Sequence, residues 1–421
     1  MPGRRGGSRL VTERVRAPHL HSALRGFCLG AFAYFVREVE QGAEIQFVFE
    51  EHDSRDRPTL YEYRPLVRNF VETRGGRLLA LGDTGFALEA LRREPAAAIY
   101  ARAHAGTRAE HALFRTVLLP LLEDVADACG GFDWDDDAFD RAYAKLEQSL
   151  FGKERSYAAV APLIGLEAGG IVELDGGLRV RHAADGELAA HWPDAARLAP
   201  ESFGREPDRM CVLELERSLP AGGAEPPDAP GEIADAVTAL RLATAGPIAA
   251  GPVLFERLDW RPYGVRPVLP IAATQPPGAP IRLDSIRGGV ARELRGKLAA
   301  ADEDRELGEA LDRWELSLFQ ELPFRAEQLR SALEALLGGG DGAWAAGLRT
   351  AVLLGETGRE RAACLDALRR PGEGGAADLV RRALVETIGR GSRRRLIGEL
   401  DESLLGVRPR LDARVAHAIA S

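Results

Sequence analysis

From Ile286 onward the chain changes character: nearly every segment places apolar residues at helical spacing, and strand signals disappear. The breaks are Pro323, Gly338-Gly339-Gly340, Pro371-Gly372-Glu373-Gly374-Gly375 and Gly391. Proline removes a backbone donor and glycine loses the most entropy on ordering, so both punctuate helices. The spacing predicts helices over 286–300, 303–320, 323–337, 341–354, 357–370, 376–389, 392–404 and 410–420. Short helices with one apolar stripe each must bury it against one another, so 286–421 reads as a helical bundle.

What precedes is mixed. Phe27 to Val36 is a short apolar run closed by Arg37-Glu38, a strand or a buried helix. Glu44 to Glu50 alternates in part as a half-buried strand does, and Leu60 to Val71 has room for a second. Ala109 to Ala128 is apolar at helical spacing apart from Pro120, and Cys129-Gly130-Gly131 is a helix stop. Asp133 to Asp137 suits a helix N-terminus. A calcium loop would need Gly and Glu where this chain has Ala138 and Ala144.

Ile171 to Arg181 reads as a hairpin around Asp175-Gly176-Gly177. Cys211 to Glu216 and Pro252 to Trp260 read as strands, and Glu232 to Ala243 as a helix. Residues 220–231 form a Pro/Gly-rich loop, and Arg261 to Pro280 is proline-rich and poor in regular structure. The expected fold is therefore α+β: mixed α/β over 1–120, mixed α/β over 121–285, then the all-α bundle over 286–421.

Charge and composition exclude several functions. Lys+Arg is 55 against Asp+Glu 64, a net charge of -9, which excludes a globally cationic surface for nucleic acid but leaves room for a local patch. Only Lys145, Lys153 and Lys297 are lysines, so arginine is so abundant that a single one carries little information. No run approaches the roughly 20 apolar residues of a membrane span. Cys28, Cys129, Cys211 and Cys364 are far apart, which fits a reduced cytoplasmic protein and argues against a disulfide scaffold or zinc ribbon.

The usual enzyme signatures (a phosphate loop, HExxH, GxSxG) are absent. His104 and His111, seven apart, could share a helix face, but no carboxylate or Cys cluster joins them, so no metal and no cofactor is expected. His19 and His21 lie two apart in a basic arm, and His182 and His191 have no evident partner. Arg381-Arg382 and Arg393-Arg394-Arg395 could contact phosphates, or simply be a solvated helix start behind Ser392.

Three stretches resemble the bacterial HEPN superfamily, in particular its ApeA-like group. The first joins Ala310-Leu311-Asp312-Arg313-Trp314-Glu315 to Arg325 through Leu337, which contains Ala332-Leu333-Glu334-Ala335-Leu336-Leu337. The second runs from Leu348 to Arg361, and the third pairs Asp378 to Leu384 with Leu396 to Leu405. The resemblance implies a self-associating bundle, a homodimer, whose Arg and His of an R-x4-6-H motif cleave RNA without metal. Here the 2′-hydroxyl attacks the adjacent phosphate, histidine moves the proton and arginine stabilises the developing charge.

The chain departs from the pattern at this motif. If Arg370 takes the arginine position, the histidine position is Gly375; if Arg369 does, it is Gly374. No histidine occurs between His191 and His417. Arg410 with His417, and Arg14 with His19, fit the spacing formally but lie near the chain ends.

The resemblance thus implies a catalytically degenerate protein that binds RNA or a protein partner, in a bacterial antiviral defence or toxin–antitoxin setting. A ribonuclease with a non-standard site of Glu334, Arg369 and Arg370 is the alternative. A scaffold whose activity lies in the N-terminal region is the third.

Overall fold

The computed structural model describes residues 16–54, 57–105, 111–183, 210–220, 227–259, 261–301, 303–370 and 375–411. The chain divides into two compact units. One comprises Met1–Arg155 with Leu219–Ala224 and Leu258–Arg261; the other comprises Ser156–Ser218, Glu225–Arg257 and Pro262–Ser421.

The first unit begins with α1 (Pro18–Glu40), where proline suits the first turn because its missing N–H would have no partner there. Leu20, Leu24, Phe27, Cys28, Ala31, Phe32 and Phe35 form its buried stripe, so the apolar run at 27–36 is helix. β1 (Phe47–Ser54) and β2 (Arg57–Pro65) pair antiparallel. The strand expected at 60–71 ends at Pro65, and Val67 opens α2 (Val67–Leu78). α3 (Gly82–Arg92) and α4 (Pro95–Ala105) follow.

A π-helical turn at Phe114–Leu118 then runs into α5 (Leu119–Cys129). Gly130, at φ 65°, ends α5 in the left-handed conformation that glycine adopts freely. α6 (Asp136–Phe151) starts at Asp135, whose carboxylate accepts from Asp137 N–H at 2.9 Å, so the acidic run is a cap. Phe32, Phe35, Phe70, Phe132, Trp134 and Phe139 meet edge-on or tilted, with centroids 5.0–5.7 Å apart, within this unit's core.

The second unit contains most of the sheet strands: β3 (Glu154–Ile164, its first two residues in the first unit), β4 (Leu166–Ala168), β5 (Val172–Asp175), β6 (Leu178–His182) and β7 (Cys211–Pro220, its last two residues in the first unit). Then come α7 (Ala229–Thr244), β8 (Ala249–Ala250), β9 (Val253–Leu258), β10 (Arg261–Pro267), a turn of helix α8 (Pro270–Ala273) and β11 (Ile281–Leu283). The main sheet runs β10-β9-β3-β7-β6-β5 with β8 beside β3, while β11 pairs in parallel with β4. The segment expected to be irregular, 261–280, thus contains a strand; β10 ends the sheet, where proline is tolerated because one edge needs no ladder bond.

The β5–β6 hairpin turns at Asp175, Gly176 and Gly177, all with positive φ. A Cβ on Gly177 would lie 2.3 Å from the Glu216 carbonyl oxygen of β7, so the turn needs glycine for space as well as for φ. Leu178 and Val180 of β6 and Leu213 and Leu215 of β7 are buried on one sheet face. Arg179 and Glu214 face each other on the other.

The helices after the sheet are α9 (Ser285–Ala301), α10 (Arg305–Ser317), α11 (Phe324–Leu337), α12 (Gly342–Leu354), α13 (Gly358–Arg369), α14 (Ala376–Arg390) and α15 (Arg393–Leu404). Asp304 caps α10, and Thr357 with Glu360 forms a capping box on α13. Most of the helix expected at 410–420 lies outside the described residues.

The boundary drawn at 285 from helical spacing has no counterpart in the division into units. α9 packs on α7 and β5, and α14 packs on α7 and α9, so the helices share one unit with the sheet. No helix among the described residues is long and apolar enough to cross a membrane.

Candidate functional site

Arginines deep in the second unit fix where its helices stand. Arg349 of α12 is 5 % exposed. Its Nε donates to Asp401 of α15 at 2.7 Å and its Nη2 to Asp341 at 2.6 Å. Its Nη1 donates to the carbonyls of Leu337 and Gly338, at 2.9 and 2.6 Å, and so satisfies the C-terminal end of α11. Three helices are thereby held by one guanidinium.

On the side of α12 that meets α13, small residues let the helices approach. A Cβ on Gly347 would lie 3.2 Å from Leu365 Cδ1. This approach leaves a cleft of about 210 Å³ with Leu329 and Leu333 of α11, Leu365 and Leu368 of α13, and Val380 of α14 among its walls. Trp344, at the start of α12, stands 52 % exposed in the cleft, and the Arg369 guanidinium lies 4.5 Å from its ring centroid. Such a stack is worth about 0.5–1 kcal/mol at an exposed site. Arg330 of α11 completes the rim. Among the described residues neither Arg330 nor Arg369 has an ion-pair partner. Exposed Arg305, Arg325, Arg359 and Arg394 of the same helical region also have none, whereas Arg313, Arg349, Arg370, Arg381, Arg390, Arg393, Arg395 and Arg408 each have one.

The residues singled out from the sequence scatter. Of the ribonuclease set only Arg369 lines the cleft. Arg370 ends α13 and pairs with Asp366, and Glu334 is an exposed residue of α11 outside the lining. Gly375, one of the two positions where a histidine would complete the motif, precedes α14 at φ 79°, and Gly374 lies outside the described residues. No histidine lines the cleft. His417 and His191 lie outside the described residues.

Cys364, on the inner side of α13, has its thiol pushed up to about 11 by burial, which removes it as a nucleophile near neutral pH.

The arginines expected to meet phosphates separate into two kinds. Arg381 is 3 % exposed and donates to the Leu242 carbonyl of α7 at 2.5 Å and to Asp378. Arg393 is 5 % exposed and is held by Asp304, Glu306 and the Ala335 carbonyl. Phosphate contact at either would require breaking buried charge-assisted bonds. Arg394 and Arg395 are exposed, Arg395 on Glu399 at 3.0 Å, and Arg382 is half-buried.

The other histidines have separate settings. His21 meets Asp140 at 2.9 Å, His19 meets Glu94 at 3.0 Å, and His182 meets the Ala168 carbonyl at 2.7 Å. His104 belongs to α4, which ends at Ala105, while His111 has φ 56°, so the two do not share one helix face. Among the described residues no group of three or more His, Cys, Asp or Glu could hold a metal ion.

The sequence reading did not single out Trp344, Arg330 or the leucines of the cleft. The local signal was slight: one tryptophan just after Gly338-Gly339-Gly340, separated by 25 positions from the arginine that stacks on it.

Comparison with protein-family models, with curated proteins and with solved structures finds no match. The resemblance to HEPN proteins therefore gains no support from them.

Proposed function

We propose that the protein binds a partner protein and does not cut RNA, and that the cleft between α11, α12, α13 and α14 receives an apolar side chain flanked by acidic residues. The carrying observation is the exposed Trp344 over leucine walls, with Arg330 and Arg369 unpaired on the rim. A cleft of about 210 Å³ is smaller than the roughly 300–1,000 Å³ of small-molecule sites, but suits one anchoring side chain from another chain. Aromatic and arginine residues are the side chains that most often dominate such contacts. The unpaired arginines favour acidic residues beside the anchor.

RNA is disfavoured by the apolar walls and by the internal ion pairs of Arg381 and Arg393. Cleavage is disfavoured because the cleft has arginine but no proton-transfer partner. A degenerate HEPN-like ancestry and a defence setting fit this reading, on the strength of the sequence resemblance alone.

The test uses the full chain and three labelled probes in fluorescence anisotropy. Two are amphipathic leucine peptides, one with acidic flanks and one with basic flanks; the third is a single-stranded RNA. The acidic peptide is expected to bind, more weakly as salt rises, and to lose about 2 kcal/mol of affinity in Trp344→Ala. Arg330→Glu with Arg369→Glu is expected to shift preference to the basic peptide. Saturable RNA binding that depends on Trp344, or RNA cleavage abolished by Arg369→Ala or Arg370→Ala, would overturn the proposal, as would binding of neither peptide.

A further inference from the structure

Arg155, the second residue of β3, belongs to the first unit and is 5 % exposed. Its Nε and Nη1 are buried and have no hydrogen-bond partner. Among the described residues it is the one side chain with two such atoms. Among the described residues no carboxylate pairs with it. Its neighbour is instead an aromatic face: the guanidinium lies 5.3 Å from the ring centroid of Tyr100, which is fully buried on α4. Tyr100 stacks on His104 at 4.1 Å, and His104 Nε2 is 3.6 Å from Asp259 Oδ2. Asp259 adopts φ 57°, an uncommon conformation for a residue with a side chain.

Arginine cannot shed its charge as lysine can, so burial without an acidic partner is costly and the ring only partly offsets it. Buried donors left without acceptors mark a place where an ion or water belongs. The planar guanidinium matches the oxygens of phosphate and carboxylate groups.

We propose that Arg155, steadied by Tyr100, is the anchor of an oxyanion site in the first unit, for a ligand bearing a phosphate or carboxylate group. The site is independent of the helical cleft in the second unit.

The full-length protein in chloride buffer is titrated with sodium phosphate, sodium sulfate and sodium acetate at matched ionic strength. Thermal melting and titration calorimetry are followed together. At least one oxyanion is expected to bind saturably and raise the melting temperature above the chloride control, because a ligand of the folded state stabilises it by mass action. The phosphate and acetate arms tell which class is preferred.

Arg155→Gln is expected to abolish the response. In chloride alone this variant is expected to melt no lower than wild type, because it removes an uncompensated buried charge. A structural arginine would give the opposite sign. Arg155→Lys keeps the charge, and is expected to bind several-fold more weakly. Flat calorimetry for all three anions with wild type overturns the proposal, and so does an undiminished response in Arg155→Gln. Should Arg155→Gln fail to fold, an undiminished response in Arg155→Lys overturns it.

Discussion

Glu214, 2 % exposed in β7, carries three arginines: Arg179 at 2.7 Å, Arg181 at 2.6 Å and Arg257 at 3.2 Å. Burial pushes its carboxyl up, but the hydrogen bonds and charges of Arg181 and Arg179 outweigh burial and hold it down at about 2. A carboxyl depressed in the folded state stabilises the protein above its unfolded value of 4.5, and that contribution disappears as pH falls to about 2. The difference corresponds to about 3 kcal/mol. Urea unfolding from pH 7 down to pH 2 is expected to show this loss in wild type. Glu214→Gln should be the less stable protein at pH 7, and the gap should close towards pH 2. A gap that stays constant across this range would mean that the pairing contributes nothing. The sequence showed the hairpin that carries Arg179 and the strand that carries Glu214, but not that β6 pairs with β7 or that Arg257 joins them.

At the scale of elements, Arg241 of α7 acts as a staple. It is 1 % exposed and donates to the carbonyls of Ile248, Ile271 and Thr274 at 2.8–3.0 Å. It also bonds Glu315 of α10 at 3.1 Å, which Thr238 bonds at 2.8 Å. Burial pushes the Glu315 carboxyl up while Arg241 and Thr238 pull it down, and the net direction is upward. Arg241→Met leaves that carboxyl buried without its cation, and is expected to cost about 3–5 kcal/mol in chemical denaturation. Arg241→Met combined with Glu315→Leu should recover most of the loss. No recovery would mean that the carbonyl contacts, not the ion pair, hold these elements together. Element types were largely legible: the cap in the acidic run at 133–137, the stop at Gly130 and the turn at 175–177 act within a few residues of themselves. β10 was not, because Pro262 and Pro267 read as breakers until the strand's place at the end of the sheet is known.

At the scale of the whole chain, the two units have separate cores, one centred on α1 and the aromatic cluster, the other on the sheet and its covering helices. Phe35 is fully buried in the first. Phe35→Ala is expected to remove about 3–5 kcal/mol from that core. Scanning calorimetry should show one transition moving down and a second staying in place. A single transition that moves as a whole would show that the two cores melt together. Sequence spacing drew a boundary at 285 because helix and strand periods differ there. The units divide instead by which apolar faces meet: α9 packs on β5, far before it in the chain, and α14 packs on α7 and α9.

The sequence by itself determined where most helices and turns form, because periodicity, caps and glycine conformations are properties of neighbouring residues. It also determined that arginine stands at 369 and 370 while the two matching histidine positions hold glycine. Only the tertiary structure decided what each arginine does. Arg381 and Arg393 turn inward to carboxylates and carbonyls, Arg369 lies on Trp344, and Arg155 is buried on Tyr100 with two donors unmet. These differences come from partners up to 139 positions away, which no local pattern records. They decide function because an arginine's free energy in a protein depends on burial and on the charge it meets.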